Sequence, residues 1–201
     1  MPKNDQYSSG LIAKYYYENT NVLVNKYDIR DAGDLARVER DHTFLKMYEF
    51  FLIDDRQYGF AYFRDINKYL FSELYYWAGQ IRSINIAKDG YAFCPCEVIN
   101  QRSMLLFQDL LIDEYLVGMP RDDLVLRVAY YLQALNEIHP FIEGNGRTIR
   151  TFIASLLANA GYDIYFKEVG KDLLPEVDIL ATQGDNTLLI NILDSIVSER
   201  S

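Results

Sequence analysis

Two strong apolar stripes run toward each other along the chain and stop on either side of a polar loop. From Asp122 to Ile138, Leu124, Val128, Tyr131, Leu135 and Ile138 fall at helical spacing. From Asn145 to Ala160, Ile149, Phe152, Ile153, Leu156 and Leu157 do the same. Pro120 with Asp122 and Asp123 suits the start of the first helix, and Gly161 stops the second. Residues His139 to Gly144 must therefore form a loop anchored at both ends, with Phe141 as the apolar residue that pins it to a core.

Helical periodicity continues through most of the chain. Asp34 to Ile53 carries Leu35, Val38, Leu45 and Leu52 on one stripe, with His42 among them as a packed or half-exposed residue. Phe63 to Ala78 carries Ile66, Leu70, Leu74 and Trp77, and Gly79 suits its C-terminal stop. Glu97 to Val117 ends at Gly118, and two weaker helices are expected at Lys171 to Thr182 and Thr187 to Val197. Arg82 to Pro95 departs from this period. Ile84 and Ile86 alternate, Lys88-Asp89-Gly90 makes a turn, and Tyr91 and Phe93 follow, which is a hairpin pattern. The fold class is thus all-α with one short β-hairpin. With 201 residues, half of them hydrophobic, and only 5 prolines, residues 1–201 read as a single globular domain.

Composition narrows the function. No apolar run approaches the roughly 20 residues of a membrane span, and Met1 to Ser9 lacks a signal-peptide core. A net charge of −9 argues against broad nucleic-acid binding while leaving room for a nucleotide in a local basic pocket. Cys94-Pro95-Cys96 is too tight for a disulfide framework, and with only His42 and His139 as further soft ligands it does not make a zinc site. Reduced thiols in a cytosolic protein are the expectation.

The loop and the helix start after it, His139-Pro-Phe-Ile-Glu-Gly-Asn-Gly-Arg-Thr-Ile-Arg150, carry the chemistry. A helix N-terminus offers unpaired backbone N–H groups and a positive dipole end. Gly144 and Gly146 beside Asn145 let a phosphate approach that backbone closely. Arg147 and Arg150 lie about one turn apart and suit two successive phosphates. Glu143 would repel phosphate unless a divalent metal, usually magnesium, bridged the two. His139 is then placed to take a proton from an incoming hydroxyl. Read from the residues alone, this is a nucleotide-phosphate site with a base.

The stretch His139 to Arg150 resembles the Fic-domain signature, His-Pro-Phe-x-(Asp/Glu)-Gly-Asn-Gly-Arg-x-x-Arg, at every defined position. Asn19 to Ile29 resembles the opening of one Fic branch. Trp77 to Arg82, followed by Lys88 and Phe93, resembles the run into the family's flap hairpin. The likeness covers about residues 15–197 and implies the Fic fold, a helical bundle with a hairpin flap. It further implies a protein adenylyltransferase that moves AMP from ATP to a side-chain hydroxyl of a target protein, releasing pyrophosphate. His139 is then the general base, Glu143 the Mg²⁺ holder, Gly144, Asn145 and Gly146 the anion hole, and Arg147 and Arg150 the phosphate ligands. The flap, here Ile84, Asn85, Ile86, Ala87, Lys88, Asp89, Gly90, Tyr91 and Phe93, would dock the target by strand addition.

The same likeness implies restraint by a glutamate that pairs with Arg150. Within the chain, Glu18 and Glu199 come near the family's inhibitory pattern but miss it at Lys14 and Arg200. The segment from Tyr115 to His139 looks like the toxin half of Fic toxin–antitoxin pairs, so a small helical antitoxin offering a glutamate to Arg150 is the expectation. A bacterial cytoplasmic location follows, with delivery into a host cell as a further route. The competing readings are a Fic-fold phosphotransferase, a transferase of another nucleotide, and a non-catalytic nucleotide-binding module.

Overall fold

The structure is a computed structural model and describes residues 9–50, 57–88, 90–166 and 186–200. In chain order the elements are α1 Ser9–Ala13, α2 Ala32–Phe50, α3 Phe60–Phe71, β1 Ala87–Lys88, β2 Tyr91–Ala92, α4 Ile99–Ile112, α5 Arg121–Ile138, α6 Asn145–Asn159, β3 Tyr162–Ile164, α7 Thr187–Ile196 and β4 Val197–Glu199. The helix α6 packs against α3 and α5, α5 against α4 and α7, and α2 lies on α3. No described helix is long and apolar enough to cross a membrane.

The two stripes that converge on the polar loop form α5 and α6 as expected, and their apolar faces make the centre of the core. Phe141 is wholly buried from within the loop. Its ring stacks on Phe63 of α3 at 5.6 Å, and Phe63 meets Phe152 of α6 edge-on at 5.4 Å. Burying one such ring is worth roughly 2–3 kcal/mol, with about 0.5–1.5 kcal/mol more per aromatic pair. The loop's path is therefore held by core packing as well as by its two helix ends.

Several boundaries move when tertiary contacts are present. The helix expected from Phe63 to Ala78 is Phe60–Phe71. After Phe71 the chain turns back, and Gly79 donates its N–H to Asn67 Oδ1 at 2.8 Å. Leu74, Tyr75 and Trp77 are still buried, but from turns rather than from a helix. The helix expected from Glu97 to Val117 is interrupted. A 3-10 turn, Cys96–Val98, leads into α4, and a second, Glu114–Leu116, follows it with all three residues at positive φ. Leu45, expected on the buried stripe of α2, is 64% exposed. His42 is half-buried as expected, with Nε2 3.2 Å from Glu73. A second two-stranded sheet was not anticipated: β3 pairs antiparallel with β4, so the helix expected through Val197 ends at Ile196. The last three positions of the helix expected from Asp34 to Ile53, Leu52 among them, lie outside the described residues, as does the helix expected from Lys171 to Thr182.

One buried charge ties the hairpin to the polar loop. Arg82 is 2% exposed. Its Nε donates to the His139 carbonyl at 2.8 Å and its Nη1 to the Ile84 carbonyl at 2.8 Å. Its Nη2 donates to the carbonyls of Cys94 and Ile138. The Arg82 N–H also donates to Pro140 O at 2.9 Å. Removing the guanidinium would leave several buried carbonyls without a donor, at about 1–3 kcal/mol for each one left unsatisfied. We expect Arg82→Met to destabilise the fold by about 3 kcal/mol or more, read as a lower urea midpoint; a change below about 1 kcal/mol would show that the network does not hold the two segments together.

Candidate active site

The site forms where α5 ends and α6 begins. His139 caps α5 in the left-handed conformation (φ 45°, ψ 61°), its N–H still bonded to Leu135 O at 3.0 Å. That turn carries the ring out of the helix. Its Nδ1 lies 3.2 Å from the Asn136 carbonyl, which can only accept, so Nδ1 holds the proton and Nε2 keeps its lone pair. Phe93 covers the half-buried ring, stacked at 3.8 Å with planes 19° apart. Burial, reinforced by the positive charges of Arg82 and Lys88, lowers the His139 pKa to about 4. The imidazole is therefore neutral at physiological pH, as a base must be.

The turn into α6 is built for close approach. Gly144 sits at φ 80°, and a Cβ there would lie 2.2 Å from the Phe71 ring. Asn145 folds its side chain back onto the loop: Oδ1 accepts the Phe141 N–H at 3.0 Å and Nδ2 donates to Phe141 O at 2.8 Å. Its contribution to an anion is thus limited to its backbone N–H. The first helical bond runs from Thr148 N to Gly144 O at 2.9 Å, so the N–H groups of Asn145, Gly146 and Arg147 have no carbonyl one turn back to bind. Arg150 lies over this turn, and a Cβ on Gly146 would stand 3.2 Å from its Nη1. Asn67, fully buried, steadies the assembly by donating to Glu143 O at 3.2 Å and to Thr148 Oγ1 at 3.1 Å.

Charge is concentrated on one side of the turn. Glu143 Oε1 accepts the Gly144 N–H at 2.7 Å and lies 3.2 Å from Arg147 Nη2. The same Nη2 pairs with Glu39 of α2, and Arg147 Nη1 donates to Thr43 Oγ1 at 3.2 Å. Tyr75 donates its hydroxyl to the other oxygen of Glu39. Phe71 lies under the guanidinium at 4.8 Å. Burial, then the charge of Glu39, pushes the Glu143 pKa up, while Arg147 opposes the shift. Among the described residues no group of three or more His, Cys, Asp or Glu forms a ready-made metal cage.

The structure brings together His139, Glu143, Gly144, Asn145, Gly146, Arg147 and Arg150, as the residue order leads one to expect. It redistributes the flap. Only Ala87–Lys88 and Tyr91–Ala92 form strands, in the register Ala87↔Ala92 and Lys88↔Tyr91. Ile84 is buried and faces the core, so its side chain is not available for docking. Asn85 accepts the Cys96 N–H at 2.8 Å, and Phe93 roofs His139. Ile86 is half-buried, Gly90 is exposed, and Asp89 lies outside the described residues. Glu39 and Thr43 were missed. Their signal was present: both share the Leu35 stripe of α2 at spacings of four, where a carboxylate on a core-facing helix face calls for a partner.

Glu18 is exposed in the turn after α1. Glu199 pairs with Tyr162 on β4, beyond the C-terminal end of α6. Arg150 lies nine residues before Asn159, about 13 Å along the helix axis, so Glu199 is at the wrong end to reach it.

A model of the Fic/DOC family matches residues 59–157. The chain is 30% identical over 185 residues to the Escherichia coli (strain K12) protein named Probable protein adenylyltransferase Fic, covering 92% of each. It is 30% identical over 186 residues to protein adenylyltransferase VbhT of Bartonella schoenbuchensis, covering 92% of this chain but 39% of VbhT. Among solved structures, BepC of Bartonella tribocorum with bound AMPPNP gives a TM-score of 0.89 at 25% identity, covering 93% of this chain and 97% of that one. A Bep effector Fic domain from Bartonella quintana with bound ADP gives 0.90 at 26% identity, covering 94% and 96%.

Two outcomes test this geometry. The chain has 2 histidines, so the His139 ring can be followed by proton NMR. We expect a wild-type midpoint near 4, moving toward the ordinary value of 6.5 in Phe93→Ala as the ring is uncovered. A lowered histidine pKa adds stability above pH 6.5 that is lost as pH falls toward 4, because the unfolded chain takes up the proton first. Gly144→Ala and Gly161→Ala both place alanine at positive φ, but only Gly144 has a ring within 2.2 Å. Gly161→Ala should cost about 1 kcal/mol from backbone strain alone, and Gly144→Ala at least about 1 kcal/mol more in urea titrations.

Proposed function

The chain belongs to the Fic/DOC family, and we infer that it is a protein adenylyltransferase, moving AMP from ATP to a side-chain hydroxyl of a target protein. The observation that carries this reading is a neutral His139, with Nε2 unprotonated, beside the open N-terminus of α6. His139 Nε2 takes the hydroxyl proton as that oxygen attacks the α-phosphorus. The new O–P bond forms as the bond to the bridging oxygen breaks, and pyrophosphate leaves. Backbone N–H groups at Asn145, Gly146 and Arg147 hold phosphate oxygens that Gly144 lets approach, and the guanidinium groups of Arg147 and Arg150 offset the remaining negative charge. These groups act by positioning and by charge neutralisation.

Glu143 fits a role as magnesium holder. Its carboxylate lies at the turn into α6, and a cation there would offset the burial and the Glu39 charge that disfavour its ionised form. A magnesium ion there would neutralise phosphate charge. The exposed backbone of Ala87–Lys88 suits strand addition by the target segment. Restraint by a small helical antitoxin directed at Arg150 fits the remote position of Glu199.

The test is incubation with Mg²⁺ and a bacterial lysate, using ATP labelled at the α- or the γ-phosphate. We expect label from the α-position only, an AMP-sized mass increment on the modified protein, and a loss of about 100-fold or more in His139→Ala. Transfer of γ-label would establish phosphotransfer instead, and an unchanged rate in His139→Ala would remove the base from the mechanism. Glu18→Gly should leave the basal rate unchanged; a sharp rise would place the restraint within the chain.

A further inference from the structure

The matched family region begins at residue 59, yet the charge network at the site extends beyond it to α2. Glu39 is 8% exposed and receives hydrogen bonds from two directions, Arg147 on one oxygen and Tyr75 on the other. Thr43, one turn further along α2, accepts from the other terminal nitrogen of Arg147 and donates its own hydroxyl to Glu39 O at 2.8 Å. Phe71 supports the flat face of the guanidinium. Arg147 is thus gripped along an edge by α2 and from below by α3, while its backbone N–H belongs to the open first turn of α6. A guanidinium has five N–H donors in a rigid fork, so fixing one edge sets the direction of the rest.

We propose that Glu39 is a positioning residue for AMP transfer: with Thr43 it aims the Arg147 guanidinium at the phosphates held by the α6 turn. The proposal rests on Arg147 being a phosphate ligand. The Glu39 carboxylate is taken up by Arg147 and Tyr75, and it acts through Arg147. A flexible arginine would have to be ordered each time the transition state forms, whereas a gripped one is already in place. Because α2 lies on α3 and α3 carries Asn67 and Phe71, the grip also registers α2 against the polar loop.

The test is a double-mutant cycle with Glu39→Gln and Arg147→Ala, measuring kcat and KM for Mg-ATP by transfer of α-labelled AMP, with thermal melts of every variant. Glu39→Gln keeps the shape and the Tyr75 contact but removes the charge. We expect it to lower kcat by about 10-fold or more with KM within about threefold, and to have no further effect once Arg147 is alanine. Thr43→Val, which loses only the hydroxyl, should lower kcat by a few fold through the same arginine and serves if Glu39→Gln fails to fold. An equal loss in both Arg147 backgrounds would mean a merely structural role and overturn the proposal. A gain in kcat or a fall in KM would overturn it as well, marking Glu39 as a competitor of phosphate. If Arg147→Ala alone is as active as wild type, the phosphate role of Arg147 fails, whatever Glu39 does.

Discussion

The buried guanidinium of Arg82 joins two stretches of chain that are far apart in sequence, the root of the hairpin and the loop between α5 and α6. Its bonds to the carbonyls of Ile138 and His139 meet its bonds to those of Ile84 and Cys94. Cys94 N–H in turn donates to Glu137 O at 3.0 Å. With both sides of the junction tied, Phe93, the residue before Cys94, is delivered onto the His139 ring. The covering of the His139 ring, and hence its low pKa, is a consequence of that junction.

The second organising feature is an imbalance of charge. Two carboxylates, Glu39 and Glu143, converge on one nitrogen of Arg147 in a mostly buried setting. Buried ions are costly unless paired and hydrogen-bonded, and here the pairing comes from three elements, α2, the polar loop and α6. The arrangement keeps Arg147 ordered at a helix N-terminus whose first N–H groups have no carbonyl one turn back. Glycine at 144 is required by the Phe71 ring as well as by φ, so the turn and the aromatic support beneath Arg147 depend on each other.

Much of this was legible from residue order. The stripes of α5 and α6, the anchoring role of Phe141 and the clustering of His139 with Glu143 to Arg150 all follow from local periodicity and adjacency. The hairpin turn was legible too, because alternation around Lys88-Asp89-Gly90 is a local signal. The errors lie where distant contacts compete with local preference. Asn67 captures Gly79 and ends α3 early, and β3 recruits the residues after α7 into a strand.

Residue order alone dictates the helical class, the loop between α5 and α6 and the residue types at the site, because each of these is encoded within a turn or two of chain. Packing of the whole chain was needed to place Phe93 over the His139 ring, to bind the hairpin root to the loop through Arg82, and to bring Glu39 and Thr43 to Arg147. Those contacts join residues 46 to 108 positions apart. No local pattern specifies such pairings; they arise when helices with buried polar groups pack and each group must find a partner.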